Sequence, residues 1–345
     1  MKVKVKDIAK AAGVSPTAVS LVLNDKPCRL SDATKEHIRR VAREMKFQKE
    51  GSISLDELGK VKTIGLVIPA AGNQFYQKLS IEISRCLFAQ GYTVLQCSVG
   101  NDLNFCYQAL EALTCKNVDG IIVIPPATHS KDAKLIKMLK SLQDSGVPMI
   151  LADRAVYSVF CDFITADNKH GGRLATEYLI GKGHRRIGCI LGNREVYTAR
   201  KRLEGYKQAL AGAGLSYLEE AVWFGDFDVE TGTAGAEALL ESGLEITAIF
   251  AGNDEIARGV YRYAAAHGIG IPEQLSVIGY DNSDYCGFLE PPLTSIEQNV
   301  LQMAGRIAEV IVANIQETEQ EEGPRNYYFT PVLAERESVG NRITE

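Results

Sequence analysis

Between residues 7 and 24 the apolar positions fall at helical spacing and are interrupted once. Ile8, Ala9 and Ala12 sit at i, i+1 and i+4, one face of a helix. Gly13 supplies the stop, because glycine takes the left-handed conformation beyond a helix end without steric cost. Ser15 offers an N-cap hydroxyl, and Pro16 fills the first helical position, where a missing N–H costs nothing. Val19, Val22 and Leu23 repeat the stripe at i, i+3 and i+4. Thr17, Ala18, Ser20, Leu21 and Asn24 are left on an outer face of small and polar groups, and a short helix with such a face fits a DNA major groove. Ser31 caps a third predicted helix running to about Lys46, with Ile38, Val41, Ala42 and Met45 as its stripe. Together these close a core over Ile8, Val19 and Leu23. A unit of about 47 residues is marginal alone.

Phe47 to Lys62 is polar and reads as a linker. From Thr63 short apolar or β-branched runs alternate with amphipathic helices. Strands are predicted at Thr63–Ile68, Tyr92–Cys97, Gly120–Ile124 and Met149–Ala152, with helices over about 75–90 and 102–116. The rhythm restarts after Asp167, with strands near 186–191, 221–224, 248–251 and 275–279, and a last strand from Tyr327 to Val332. Buried strands joined by helical crossovers predict parallel sheets covered on both faces, and two rounds predict two α/β lobes. The acidic run Glu317–Glu322 reads as a solvated loop. No run of about 18 apolar residues predicts a transmembrane helix, and the start of the chain predicts no secretory leader.

Charge changes the picture of the first segment. The net charge is −5. Residues 1–49 carry 12 Lys and Arg against 5 Asp and Glu, or +7, which leaves −12 for the remainder. A basic head on an acidic body is what one phosphate-facing end predicts. The 8 cysteines are scattered, with no Cys-x-x-Cys pair, so neither a metal site nor a disulfide framework is expected.

Catalytic motifs are missing. Gly268-Ile269-Gly270 lacks a third glycine and follows a helix, so it is no dinucleotide fingerprint. There is no phosphate loop and no Gly-x-Ser-x-Gly elbow. The chain is read as a non-enzyme without cofactor or metal. Open α/β sheets bind ligands beyond the carboxyl ends of their strands. The residues standing there are Phe75 and Tyr76, Asp153, Phe227, Asn253 and Asp281. Carboxylates and rings suit a polyol, although Asp153, Asp254 and Asp281 also suit caps of the helices that follow.

The stretch Val5-Lys6-Asp7-Ile8-Ala9-Lys10-Ala11-Ala12-Gly13-Val14-Ser15, followed by Val19-Ser20-Leu21-Val22-Leu23-Asn24, resembles the headpiece of the lactose/galactose repressor (LacI) family of bacterial transcription regulators. The resemblance covers nearly the whole chain. It implies a three-helix helix-turn-helix headpiece at 1–47, a hinge at 48–62 and a two-lobed periplasmic-binding-protein-like body at 63–340. The chain crosses between lobes three times in that family, so lobe one is expected at about 63–166 and 296–326, lobe two at about 167–295 and 327–340.

The resemblance also implies roles. Pro16, Thr17 and Leu21 hold the positions that read bases, where Leu21 offers only apolar contact, for example to a thymine methyl. Lys6, Ser20 and Asn24 hold DNA backbone, and the N-cap Ser15 is counted with them among the DNA-binding residues. In the family a hinge leucine wedges into the minor groove. Here Asp56 stands at that place, so either the register slips to offer Leu55 or Leu58 or the operator kink is weaker. Asn73-Gln74-Phe75-Tyr76 resembles the family's Asn-Pro-Phe-Phe, Arg202 matches an arginine that reaches ligand, Thr198 a neighbouring hydroxyl and Asp281 a ligand-contacting carboxylate. The implied protein is a cytoplasmic repressor. As a homodimer it binds near-palindromic operator DNA, with no membrane contact, and a small effector between its lobes, a sugar in most relatives, sets its affinity. No terminal leucine heptad predicts a tetramer. A transport-type binding protein and an enzyme with a DNA anchor are the competing readings; the basic headpiece opposes the first and the missing motifs the second.

Overall fold

The computed structural model describes residues 3–24, 26–45, 47, 61–69, 72–127, 132–156, 158–316 and 323–342. The expected hinge residues Leu55, Asp56 and Leu58 and the acidic run 317–322 lie outside them. The chain divides into two compact units, Met1–Val61 and Lys62–Glu345.

The first unit holds α1 (Val5–Ala12), α2 (Pro16–Leu23) and α3 (Asp32–Glu44). The punctuation read from the sequence is what shapes it. Gly13 has φ 65° and its N–H closes back on the Ala9 carbonyl. The Ser15 hydroxyl accepts the Ala18 N–H at 3.2 Å, and Ser31 does the same for Thr34 at 3.2 Å. At α1 the Asp7 carboxylate accepts the Lys4 N–H at 2.7 Å. Ile8, Val19, Val22, Ile38 and Val41 meet in one core, with Leu23 and Met45 packed at its edge.

The second unit is two-lobed. The first lobe contains β1 (Thr63–Ile68), α4 (Gln74–Ala89), β2 (Thr93–Ser98), α5 (Leu103–Cys115), β3 (Gly120–Val123), α6 (Ala133–Asp144), β4 (Met149–Ala152) and β5 (Asp162–Ala166). The chain then crosses to α7 (Asn168–Gly181), β6 (Ile187–Leu191), α8 (Tyr197–Gly212), β7 (Val222–Phe224) and α9 (Val229–Glu241). β8 (Ala248–Ala251), α10 (Asp254–Ala266), β9 (Ser276–Tyr280) and β10 (Thr294–Glu297) complete that lobe's parallel order. α11 (Val300–Gln316) and β11 (Asn326–Phe329) return to the first lobe, and β12 (Val332–Ala334) crosses last.

Among the described residues the sheet orders are β11-β5-β4-β3-β1-β2 and β12-β10-β9-β8-β6-β7. Successive strand residues feed opposite faces. Ile122 enters a core with α4 and α11, while Ile121 and Val123 enter one with α5 and α6. In the second lobe α7 and α8 cover one face, α9 and α10 the other.

Three expectations are corrected. The last strand is not continuous from Tyr327 to Val332. It is β11 and β12, broken at Thr330-Pro331, where proline has no N–H to give a ladder. Lobe one therefore keeps residues to Phe329, because β11 pairs in parallel with β5. The second sheet is mixed, since β12 runs antiparallel to β10. Two further strands, β5 and β10, have no counterpart in the sequence reading. Each buries hydroxyls that interrupt an apolar run: Thr165 donates to the Asp153 carbonyl at 3.0 Å, and Ser295 to the Asp254 carboxylate at 2.6 Å.

Candidate functional site

The helix α2 is assembled as its caps predict. Ser15, Pro16, Thr17, Ser20 and Asn24 are exposed on or beside α2, Leu21 is half-buried, and Lys6 is exposed on α1. Asn24 turns its amide back, donating to the Ser20 carbonyl at 2.7 Å. On α3 several cations are held by acids of the same helix, Lys35 by Asp32 at 2.9 Å and Arg43 by Glu36 at 2.6 Å.

The second site lies between the lobes of the larger unit. All eight residues expected there, Phe75, Tyr76, Asp153, Thr198, Arg202, Phe227, Asn253 and Asp281, line one cleft of about 680 Å³ counted to its open mouth. Strand ends place them. Asn73 follows β1 and caps α4, accepting the Phe75 and Tyr76 N–H groups at 2.9 and 3.4 Å. That cap stations the two rings edge to face, 5.1 Å between centroids. Asp153 follows β4 with φ 58°. Its Oδ2 accepts the Tyr76 hydroxyl at 2.9 Å, and burial pushes that phenol up, so it stays a donor. Arg154 donates to the Pro125 carbonyl at 2.9 Å, and its guanidinium lies 5.4 Å from the Tyr76 ring and 5.7 Å from Phe227 across the cleft.

Arg202 is aimed by a close helix crossing. A Cβ on Gly172 of α7 would stand 2.2 Å from the Arg202 carbonyl, and one on Gly205 of α8 2.1 Å from the Lys169 carbonyl. Only glycines let the two backbones touch there. The crossing brings Asn168 Oδ1 within 2.9 Å of Arg202 Nε. Arg202 Nη1 donates to the Gly252 carbonyl, and the guanidinium lies 3.6 Å over the Tyr280 ring. Its Nη2 is 3.8 Å from Asp281 Oδ1. Asp281 follows β9 with φ 104° and accepts the Gln298 amide at 2.5 Å. Burial, with the negative charge of Asp254 nearby, pushes Asp281 up to about 8 against the pull of Arg202 and Gln298.

Helix capping, the alternative expected of Asp153, Asp254 and Asp281, holds for none of them, and the cap falls to a neighbour instead. Asn253 Oδ1 accepts the Ile256 N–H at 2.9 Å as the cap of α10, while its Nδ2 donates to the Phe227 carbonyl at 3.3 Å. Sequence reasoning missed Arg154, Asn101, Asp226, Asp228 and Gln298 among the lining residues. Arg154 stands next to a named strand-end residue and was findable by that rule. Gln298 follows β10, a strand whose polar composition hid it.

The chain was compared with known proteins. Residues 4–50 match the family model for bacterial regulatory proteins of the lacI family, and residues 61–336 match the model for periplasmic binding proteins and the sugar binding domain of the LacI family. The ribose operon repressor of Escherichia coli K12 is 34% identical over 97% of this chain and 99% of its own. A complex of the transcriptional regulator CelR with cellobiose is 29% identical, with TM-score 0.73 over 98% of this chain and 100% of that one. A LacI-family regulator from Enterococcus faecium with bound ribose is 29% identical, with TM-score 0.71 over 82% and 100%. With both models matched in order along the same chain, a three-helix first unit and a lobed cleft in the second, this protein belongs to the LacI family of bacterial regulators and is a DNA-binding transcription regulator, not an enzyme.

Proposed function

We propose that the chain is a cytoplasmic repressor whose grip on operator DNA is set by a small, uncharged, hydroxyl-rich sugar in the cleft, with ribose the first candidate. One observation carries the choice. Asp153 Oδ1, Arg154 Nε and Gln298 Oε1 are buried at the cleft and have no hydrogen-bond partner among the described residues. Buried polar atoms are costly unless satisfied, so two acceptors and a donor ask for a ligand rich in hydroxyls. Four lining carboxylates, Asp153, Asp226, Asp228 and Asp281, face two guanidiniums, Arg154 and Arg202. That balance disfavours phosphate. The rings of Phe75, Tyr76 and Phe227 suit the apolar faces of a sugar. The name of the E. coli relative and the ribose bound in the E. faecium protein point the same way.

On the DNA side, two copies present α2 to successive major grooves of a near-palindromic site. Pro16, Thr17 and Leu21 meet base edges, while Lys6, Ser15, Ser20 and Asn24 hold backbone and set register. Binding in the cleft is linked to operator affinity through the relative angle of the lobes. Titration calorimetry with ribose, ribose 5-phosphate, cellobiose and a purine base tests the effector, and a gel shift with the same compounds tests the linkage. Ribose binding that alters operator retention is the expected result. Tight binding of the phosphate ester with none of ribose sinks the reading.

A further inference from the structure

Asp254 is 1% exposed and is not among the residues lining the cleft. Both of its oxygens are engaged. Oδ2 accepts the Ser283 N–H at 2.7 Å, and Oδ1 accepts the Ser295 hydroxyl at 2.6 Å. The same Ser295 oxygen accepts the Asn282 N–H at 3.1 Å, so its one hydrogen is directed to Asp254. Consecutive amides of the segment after β9 thus hang, directly or through one hydroxyl, on a single carboxylate. The approach is tight: a Cβ on Gly279 would lie 2.3 Å from Asp254 Oδ1.

The segment so held has two working ends. It opens on Asp281 and Asn282, with φ 104° and 51°, conformations that non-glycine residues keep only where surrounding bonds enforce them. At that end the Asp281 carboxylate lines the cleft. At the other end the Asp284 N–H donates to Gln74 Oε1 at 2.9 Å. Gln74 belongs to the first lobe, between Asn73 and Phe75, which both line the cleft. A ligand contact and a bond between the lobes are therefore spaced along one short stretch with Asp254 behind it. Charged or polar neighbours come from every side: Arg202 on α8, Gln298 after β10, Asp153 after β4, and the Cys286 thiol and Ser283 hydroxyl next to Asp254 itself.

We propose that Asp254 is a positioning residue, which holds Asp281–Asp284 so that the effector contact at Asp281 and the Gln74–Asp284 bond form together and occupancy of the cleft is passed to the other lobe. The proposal rests on the reading of the cleft as the effector site. An amide cannot replace the acid. Asparagine keeps one acceptor oxygen for the Ser283 N–H, but its NH2 set against Ser295 Oγ turns that hydroxyl's hydrogen away, so the charged acceptor that orients Ser295 under the Asn282 N–H is lost.

The test is hydrogen exchange by mass spectrometry on the full chain, without ligand and with ribose as probe. Asp254→Asn is expected to raise exchange of the 281–285 segment about tenfold, as loss of a hydrogen bond to a charged group predicts, with β8 and β9 unchanged. In the wild type, ribose slows exchange at 281–285 and at 73–77 together. In Asp254→Asn that joint protection disappears and the ligand-induced change in operator affinity shrinks, although operator binding without ligand is kept. Ser295→Ala, which cuts only the Oδ1 link, gives the same pattern more weakly and serves if Asp254→Asn does not fold. Gln74→Ala loosens Asp284 alone. Wild-type exchange at 281–285 in both Asp254→Asn and Ser295→Ala overturns the proposal. Failure of wild type to bind ribose or any pentose sinks the effector assignment instead, and the ligand-free exchange still decides the role of Asp254.

Discussion

The headpiece and the cleft are built by opposite strategies. In α2 the reading face is local: Ser15 caps, Pro16 opens, and Thr17, Ser20, Leu21 and Asn24 follow within nine residues. The cleft draws side chains from the ends of β1, β4, β8 and β9, from α8 and from the end of β10. A local face is fixed by caps and spacing, and changing one residue alters what it reads without altering what holds it. In the cleft the groups assigned to the effector also hold one another. Arg202 joins Asn168, Gly252, Tyr280 and Asp281 before any ligand arrives. Specificity should therefore be separable from stability in the first region and inseparable in the second.

The sharpest test is Arg202→Ala. Above about pH 8, where Asp281 is ionised, it removes the cation facing that acid and leaves a nearly buried carboxylate without it, which costs about 3–5 kcal/mol where a buried pair is broken. Effector affinity is expected to fall by at least about a hundredfold on the same ground, and the melting temperature of the larger unit to drop with it. Operator affinity measured by gel shift below that melting point stays within a few fold. Intact calorimetric binding of the sugar breaks the comparison, because Arg202 would then hold without reading.

Leu21→Arg makes the opposite case. Leu21 is half-buried and does not belong to the first core, and an arginine there reaches outward to a guanine edge. Operator preference is expected to shift at one position per half-site by about 1–3 kcal/mol, with the thermal melt unchanged. A selected binding-site logo identical to that of the wild type refutes the role.

Asp281→Asn sharpens the claim that the cleft spends stability on function. Folding raises the pKa of this acid from 3.8 to about 8, so the fold disfavours its ionised form. The cost is absent below the unfolded value, grows as pH climbs between the two, and is complete above about 8. Asparagine keeps the shape without the charge. The melting temperature of the variant minus that of the wild type is expected near zero at pH 4 and positive by about a few degrees at pH 8, while sugar binding weakens. A difference that does not change with pH rules the titration out.

The same contrast explains what was legible from the sequence. Gly13, Ser15, Pro16 and Ser31 act on their immediate neighbours, so helix limits in the headpiece came out within a residue or two. β1, β4 and β8 are unbroken apolar runs and were equally plain. β5 and β10 were hidden because their buried hydroxyls find partners far along the chain, Thr165 at Asp153 and Ser295 at Asp254. Eight cleft residues were reached through strand ends and family resemblance together. Gln298 was not, since what distinguishes it is a buried atom unpartnered among the described residues, which no spacing encodes.

The smallest effect belongs to Ser15→Ala, and it marks the limit of locality. Ser15 Oγ accepts the Ala18 N–H, at 3.2 Å, and losing an N-cap of this kind costs about 1 kcal/mol. In a large domain that sum is minor. The first unit has one small core, closed by Ile8, Val19, Ile38 and their neighbours, so the same sum is a sizeable part of its margin. The variant is expected to lower operator affinity by about fivefold, equally on every operator sequence, because it frays α2 without touching a base edge. Ribose affinity stays that of the wild type. A sequence-selective loss would instead make Ser15 a reader, and the clean division between holding and reading in the headpiece would fail at its first residue.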